Sequence, residues 1–158
     1  MVELLAQCAG IFVVLAQVHF IADWIFQSHY EAAEKASNLR ARAWHCVKYI
    51  AVFAPLLLTL GLPTKEYVFA LAWLLVAHFA VDSGVPVFLW VKRVRRPREF
   101  RDRLIVDFKN KETRFRTEEE CMTVFTNTPS GAVLVTIVDQ IIHLMCLWPV
   151  AGLLMTVK

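Results

Sequence analysis

The chain has 158 residues, 58% of them hydrophobic, and a formal net charge of +3. Its mean hydropathy of +0.51 is too high for a water-soluble domain of this size, which would carry far more polar surface. This excludes an ordinary soluble enzyme or a disordered chain, and the sequence reads as a single integral membrane domain.

Four stretches, roughly 3–26, 43–61, 67–91 and 131–157, have the length and apolarity needed to cross a bilayer. In hydrocarbon every backbone polar group must be satisfied within its own segment, so these stretches are expected to be helices. The expected fold class is all-α: a polytopic membrane protein with four transmembrane helices in a bundle. The first stretch opens "MVELLAQCAG", with acidic Glu3 where a signal peptide has its basic region, and is expected to be retained.

The first connection contains "SHYEAAEKAS", where Ser28 and Glu31 form a capping box for a short helix. It reads as a solvated connector, and His29 with it. In the third connection, the basic loop 92–130, Phe100, Leu104, Ile105 and Phe108 recur at helical spacing opposite Arg101, Arg103, Asp107 and Lys109. That pattern predicts an amphipathic helix on the inner leaflet. A further short helix is expected from Thr117, capped with Glu120, and "NTPSG" breaks the chain before the last span. The cysteines Cys8, Cys46, Cys121 and Cys146 show no C-x-x-C spacing and are assigned no role.

Eleven of the 17 basic residues lie between Lys92 and Arg116, and Lys35, Arg40 and Arg42 lie in the first connection. Only Lys65 and Lys158 fall in the second connection and at the C-terminus. The positive-inside rule therefore puts the basic loops in the cytoplasm and both termini outside, in an inner (plasma) membrane. Trp24, Trp44 and Trp90 would form the cytoplasmic aromatic belt.

Against this apolar background the ionisable residues are informative, because each costs free energy at membrane depth unless it is paired, wet or bound. "HFIAD" gives His19 and Asp23, "HFAVD" gives His78 and Asp82, and "DQIIH" gives Asp139 and His143. Each pair is spaced i, i+4 and so shares a helix face. His45 adds a group from the second span. With alternating helix directions, the three aspartates and His45 are expected to form one layer, and the other three histidines a layer one turn deeper.

Imidazole with carboxylate suits a divalent transition metal such as Zn, Mn, Fe or Co, and helix bundles build such centres from i, i+3 or i, i+4 pairs. The candidate ligands are His19, Asp23, His45, His78, Asp82, Asp139 and His143, enough for one or two ions. Gln27 and Gln140 are placed to orient a carboxylate or a substrate oxygen. The alternatives are hydrogen-bonded glue between helices, or a proton or cation relay.

The pattern resembles domain-of-unknown-function family 3307, a family of small bacterial and phage four-helix membrane proteins. Its members look like H-x-x-x-D-F-x-x-Q, a lone H, H-x-x-x-D and D-Q-x-x-H, matched here by His19, Asp23 and Gln27, His45, His78 and Asp82, then Asp139, Gln140 and His143. The chain departs from it at Trp24, where the family has Phe, and in its long basic loop. A more distant similarity to membrane-bound metal-dependent hydrolases implies a reaction class by analogy.

The leading functional expectation is hydrolysis near the cytoplasmic face, where a divalent ion lowers the pKa of water and Asp23 or Asp82 accepts its proton. The expected partners are membrane lipids of the anionic inner leaflet, an anionic phosphate-containing substrate and a second copy of the chain, with no sequence-specific nucleic-acid binding. The competing readings are a divalent cation or proton transporter and a non-catalytic scaffold with a structural metal.

Overall fold

A computed structural model describes residues 2–101, 104–107 and 112–156. Most of these are helical, and the chain divides into two compact units, Met1–Gly84 with Ile141–Lys158, and Val85–Gln140.

The first unit contains α1 (Val2–Phe20), a π-helical turn (Ile21–Ile25), α2 (His29–Glu34), α3 (Leu39–Thr59), α4 (Thr64–Val81), the end of α8 (Pro129–Met145) and α9 (Trp148–Thr156). Among the described residues, three segments are long and apolar enough to cross a membrane: Val2–Ile25, Thr64–Val81 and Pro129–Thr156. Helix α3 has 21 residues but carries Arg40, Arg42, His45 and Lys48 in its first half, which lowers its hydropathy below that of the others. Little of the first of these segments, Val2–Ile25, is buried within the chain, and Leu4, Leu5, Val13 and Val14 are exposed. An apolar surface this continuous is suited to lipid rather than water.

Leu15 from α1, Tyr49, Phe53 and Leu57 from α3, Ala70 and Leu74 from α4, and Val150, Ala151 and Leu154 from α9 close the core. Phe12 stacks on Trp148 with ring centroids 4.4 Å apart. Between α8 and α9 the helical ladder breaks at Cys146 and Leu147, just ahead of Pro149, which has no N–H to give. Trp73 Nε1 donates to the carbonyl of Cys146 at 2.9 Å, satisfying an acceptor at that break.

The third apolar stretch is not one continuous helix. Asp82 caps α4, and Gly84 N–H donates to the Val81 carbonyl at 2.9 Å with φ +72°, a left-handed conformation that glycine adopts without penalty.

The second unit contains α5 (Val85–Trp90), a π-helical turn (Val91–Arg95), α6 (Arg98–Arg101), strands β1 (Leu104–Asp107) and β2 (Glu112–Phe115), α7 (Glu118–Thr126) and the start of α8. The expected amphipathic helix is not formed as such. Helix α6 ends at Arg101, and Leu104 to Asp107 pair antiparallel with Phe115 to Glu112. The β-branched Ile105 and Val106 favour a pleated strand over a helix. Arg103, Phe108 and Lys109 lie outside the described residues. The Thr117–Glu120 capping box forms as expected, and Arg114 grips the Glu120 carboxylate at 2.7 and 2.9 Å, holding its pKa down to about 2. Lys92 pairs with Glu118 at 2.7 Å. All four cysteines are free, with Cys46 and Cys121 buried.

Candidate metal centre

The centre begins where α1 changes pitch. After Phe20 the chain makes a wider π-helical turn, closed by Phe26 N–H donating to the Ile21 carbonyl at 3.3 Å. Such turns occur often at functional sites because the extra residue re-aims side chains. Here the turn buries Asp23. Helix α3 supplies His45, and α4 supplies His78 and its cap Asp82. All four are at most 3% exposed.

Their donor atoms converge. Asp23 Oδ1 lies 3.0 Å from His45 Nε2 and 3.6 Å from His78 Nε2. Asp82 Oδ2 lies 3.4 and 3.2 Å from the same two atoms, and the two Nε2 atoms are 2.9 Å apart. Neighbouring ligand atoms around an ion held at about 2.1 Å are themselves about 3.0–3.4 Å apart, so these separations fit one divalent cation. The two facing Nε2 atoms can share only one proton between them, which leaves a lone pair aimed into the centre. A cation would satisfy all four groups at once.

Ligating imidazoles usually donate their other ring N–H to a neighbour. Here His45 Nδ1 and His78 Nδ1 have no hydrogen-bond partner among the described residues. Ring stacking orients His78 instead: Tyr49 lies parallel to it at 3.7 Å, with 12° between the planes. The Tyr49 hydroxyl also lies 3.1 Å from His19 Nδ1.

Two of the remaining candidates, His19 and His143, lie in the same unit as this quartet. His19 is fully buried beside Tyr49, and its ring lies 5.3 Å from that of His143. His143 Nε2 is 3.4 Å from Asp82 Oδ1. Asp139 and Gln140 belong to the second unit, where the Gln140 amide donates to Asp139 Oδ2 at 3.1 Å.

Lys35, which the sequence marks only as a basic residue of the first connection, lies against this quartet. Its ammonium lies 3.2 Å from Asp23 Oδ1 and 2.8 Å from Asp82 Oδ1. With its amide oriented to donate to the Asp23 carbonyl at 3.2 Å, Gln27 offers its oxygen to the same ammonium at 3.0 Å. The backbone carrying the lysine is held by Arg42, whose Nε and Nη2 donate to the carbonyls of Lys35 and Ala36 at 2.7 and 2.6 Å. The Arg42 guanidinium itself lies over the Phe79 ring at 5.1 Å.

The first connection is therefore more than a solvated linker, although His29 is exposed as expected. Its Ser28–Glu31 capping box forms, and Glu31 is buried against Lys48, which also donates to the Phe26 carbonyl at 2.9 Å. Burial alone would raise the Glu31 pKa, but the hydrogen bonds from Lys48 and Ser28 outweigh it and hold the carboxyl below its usual range. The capping box was the one readable sign that this loop has a fixed shape; nothing in a linear pattern points Lys35 at Asp23 and Asp82.

No curated protein and no solved structure matches the chain. A family model does match, over residues 11–158, and with nearly the whole chain covered the protein belongs to the family described as protein of unknown function, DUF3307.

Proposed function

We propose that this is a multi-pass membrane protein whose Asp23, His45, His78 and Asp82 bind one divalent transition metal and carry out hydrolysis near the cytoplasmic face. The observation that carries the reading is the convergence of two imidazole nitrogens and two carboxylate oxygens, with the nitrogen–nitrogen and nitrogen–oxygen separations all 2.9–3.6 Å. In this reading α3 is the fourth crossing, and the arginines and lysines of the first and third connections face the cytoplasm.

A divalent ion in this quartet would supply Lewis acidity and an activated water at neutral pH. The chain supplies the rest. Asp82 turns Oδ2 toward the quartet, while its Oδ1 pairs with the Lys35 ammonium at 2.8 Å and lies 3.4 Å from His143 Nε2. Tyr49 holds the His78 ring by stacking and the His19 ring through its hydroxyl. On the far side of the quartet, Leu15, Phe53 and Leu57 are fully buried. That apolar plug favours a one-sided site over a path through the bundle.

The test is metal content by mass spectrometry on detergent-purified protein, wild type beside His78→Ala and Asp82→Asn. A stoichiometric transition metal in wild type, depleted in both variants, and a chelator-sensitive turnover in a screen of ester and phosphoester substrates are the expected results. Folded wild-type protein that takes up neither Zn nor Mn would overturn the reading.

A further inference from the structure

We propose that α1 is a self-association surface, whose exposed stripe of Gln7, Gly10, Val14 and Gln17 packs against the same stripe of a second copy of this chain. The inference rests on the membrane part of the reading above and not on the metal.

Spacing sets the stripe. Residues 7, 10, 14 and 17 follow one another at steps of three, four and three, which keeps them on one seam of a helix that faces a parallel neighbour. All four lie in the regular part of α1, Val2–Phe20, ahead of the π-helical turn, and all four are exposed. A different side of α1 faces its own core, where Leu15 and His19 are fully buried and Phe12 and Ala16 pack beside them.

The two glutamines point to a protein partner and not to lipid. Both lie in Val2–Ile25, whose length and apolarity suit a bilayer. At 1.5 Å per residue Gln17 is about 12 Å from the Ile25 end of this segment and about 22 Å from the Val2 end, too deep for its side chain to reach water. Neither side-chain amide hydrogen-bonds to any of the described residues. An amide left unpaired in hydrocarbon costs free energy, and polar side chains at membrane depth face protein or a water-filled cavity.

A second copy is the partner that this surface fits. Glutamine carries both a donor N–H and an acceptor oxygen, so it is its own complement. Copies that share one orientation in a membrane pair about a two-fold axis along the membrane normal, which sets their α1 helices parallel and each glutamine level with its counterpart. Each pair of amides then exchanges reciprocal hydrogen bonds, one of the forces by which membrane helices associate. Gly10 lies between the glutamines at a point where a Cβ would meet nothing within 4 Å, and its lack of bulk lets a second helix come close. A groove of about 280 Å³, lined by Gln7, Gly10, Val14 and Leu60 among others, offers that helix a recess for its side chains.

The test uses the full chain, labelled at its C-terminus with a donor or an acceptor fluorophore and reconstituted in phosphatidylcholine vesicles. Resistance to alkaline carbonate extraction is checked first, and energy transfer is then followed as the lipid-to-protein ratio rises. Wild type is expected to resist extraction and to show transfer that unlabelled chain competes away. Gln17→Leu is expected to weaken association about 5- to 30-fold, the loss of the interhelical amide bonds, and Gln7→Leu to weaken it in the same direction. Both variants leave α1 apolar toward lipid and are expected to keep the helical circular dichroism of wild type. Gln17→Asn, which keeps the amide, is expected to retain most of the affinity.

Wild type that carbonate extracts overturns the membrane reading, and this inference with it. Wild type that stays in the membrane but shows no transfer beyond random proximity overturns this inference alone, since lipid or a different protein then covers the stripe. Association that survives unchanged when Gln7→Leu and Gln17→Leu are combined also overturns it, because the interface then lies elsewhere. So does a loss in Gln17→Asn as large as that in Gln17→Leu, because shape and not the amide would then hold the pair.

Discussion

Replacing His45 with glutamine tests the quartet most directly, because His45 Nε2 lies within 3.4 Å of the other three donor atoms. At a metal concentration of about 100 Kd, binding to the folded state alone stabilises wild type by about 2.7 kcal/mol. For a chain of this size each kcal/mol moves the melting temperature by about 2–4 °C, so wild type should melt about 5–10 °C higher with metal than with chelator. If losing a donor weakens affinity about 100-fold, the same metal concentration stabilises the variant by only about 0.4 kcal/mol, a shift of about 1 °C. Without metal, His45→Gln loses the buried contact to Asp23 and should be less stable than wild type by about 1 kcal/mol. The assay is thermal unfolding in detergent followed by tryptophan fluorescence, with Zn or Mn against chelator. Equal metal-induced shifts in wild type and His45→Gln would refute the assignment of His45 as a ligand.

Three further outcomes follow from the surrounding structure. Arg42→Met removes two charge-assisted hydrogen bonds to the Lys35 and Ala36 carbonyls and should lower stability by about 2–4 kcal/mol in the same melt; an unchanged melting temperature would show that the loop does not depend on this arginine. In Gly131→Ala the new Cβ would sit 1.9 Å from the Phe125 carbonyl oxygen, so a loss of about 1–3 kcal/mol is expected, whereas Gly10→Ala, with open space around it, should be neutral. Glu31 has its pKa lowered on folding, so the stability it contributes is fully present above its unfolded pKa and is lost as the pH falls through its folded one. The stability gap between wild type and Glu31→Gln should therefore narrow on titration from neutral to about pH 3, and a gap that widens would reverse the sign of the argument.

Local chemistry was legible in the sequence. The apolar stretches at 3–26, 67–91 and 131–157 and the capping boxes at Ser28 and Thr117 depend on residues close together along the chain; the structure forms both boxes and places membrane-length helical segments at Val2–Ile25, Thr64–Val81 and Pro129–Thr156, the second stopping short of residue 91. The His78–Asp82 pair lies on one face, as its spacing requires, with His78 Nε2 3.2 Å from Asp82 Oδ2. The third loop shows where local pattern is ambiguous. Apolar residues at 104 and 105 fit a helical period, and strand pairing with residues 112–115 overrode it.

Only the tertiary structure decided which polar groups meet. His19 and Asp23 have the same spacing as His78 and Asp82, yet the π-helical turn begins between them, and Asp23 enters the quartet while His19 meets the Tyr49 hydroxyl. Lys35 and Arg42 have no periodic signal. Their roles arise because α2 and α3 bring the first connection against Asp23, Asp82 and Phe79, residues 12 to 47 positions away in the chain. Sequence spacing determines which side chains share a face of one helix. Whether a buried charge faces a metal, a lysine or a tyrosine depends on how the helices pack, because the cost of burying it is settled by its neighbours in space.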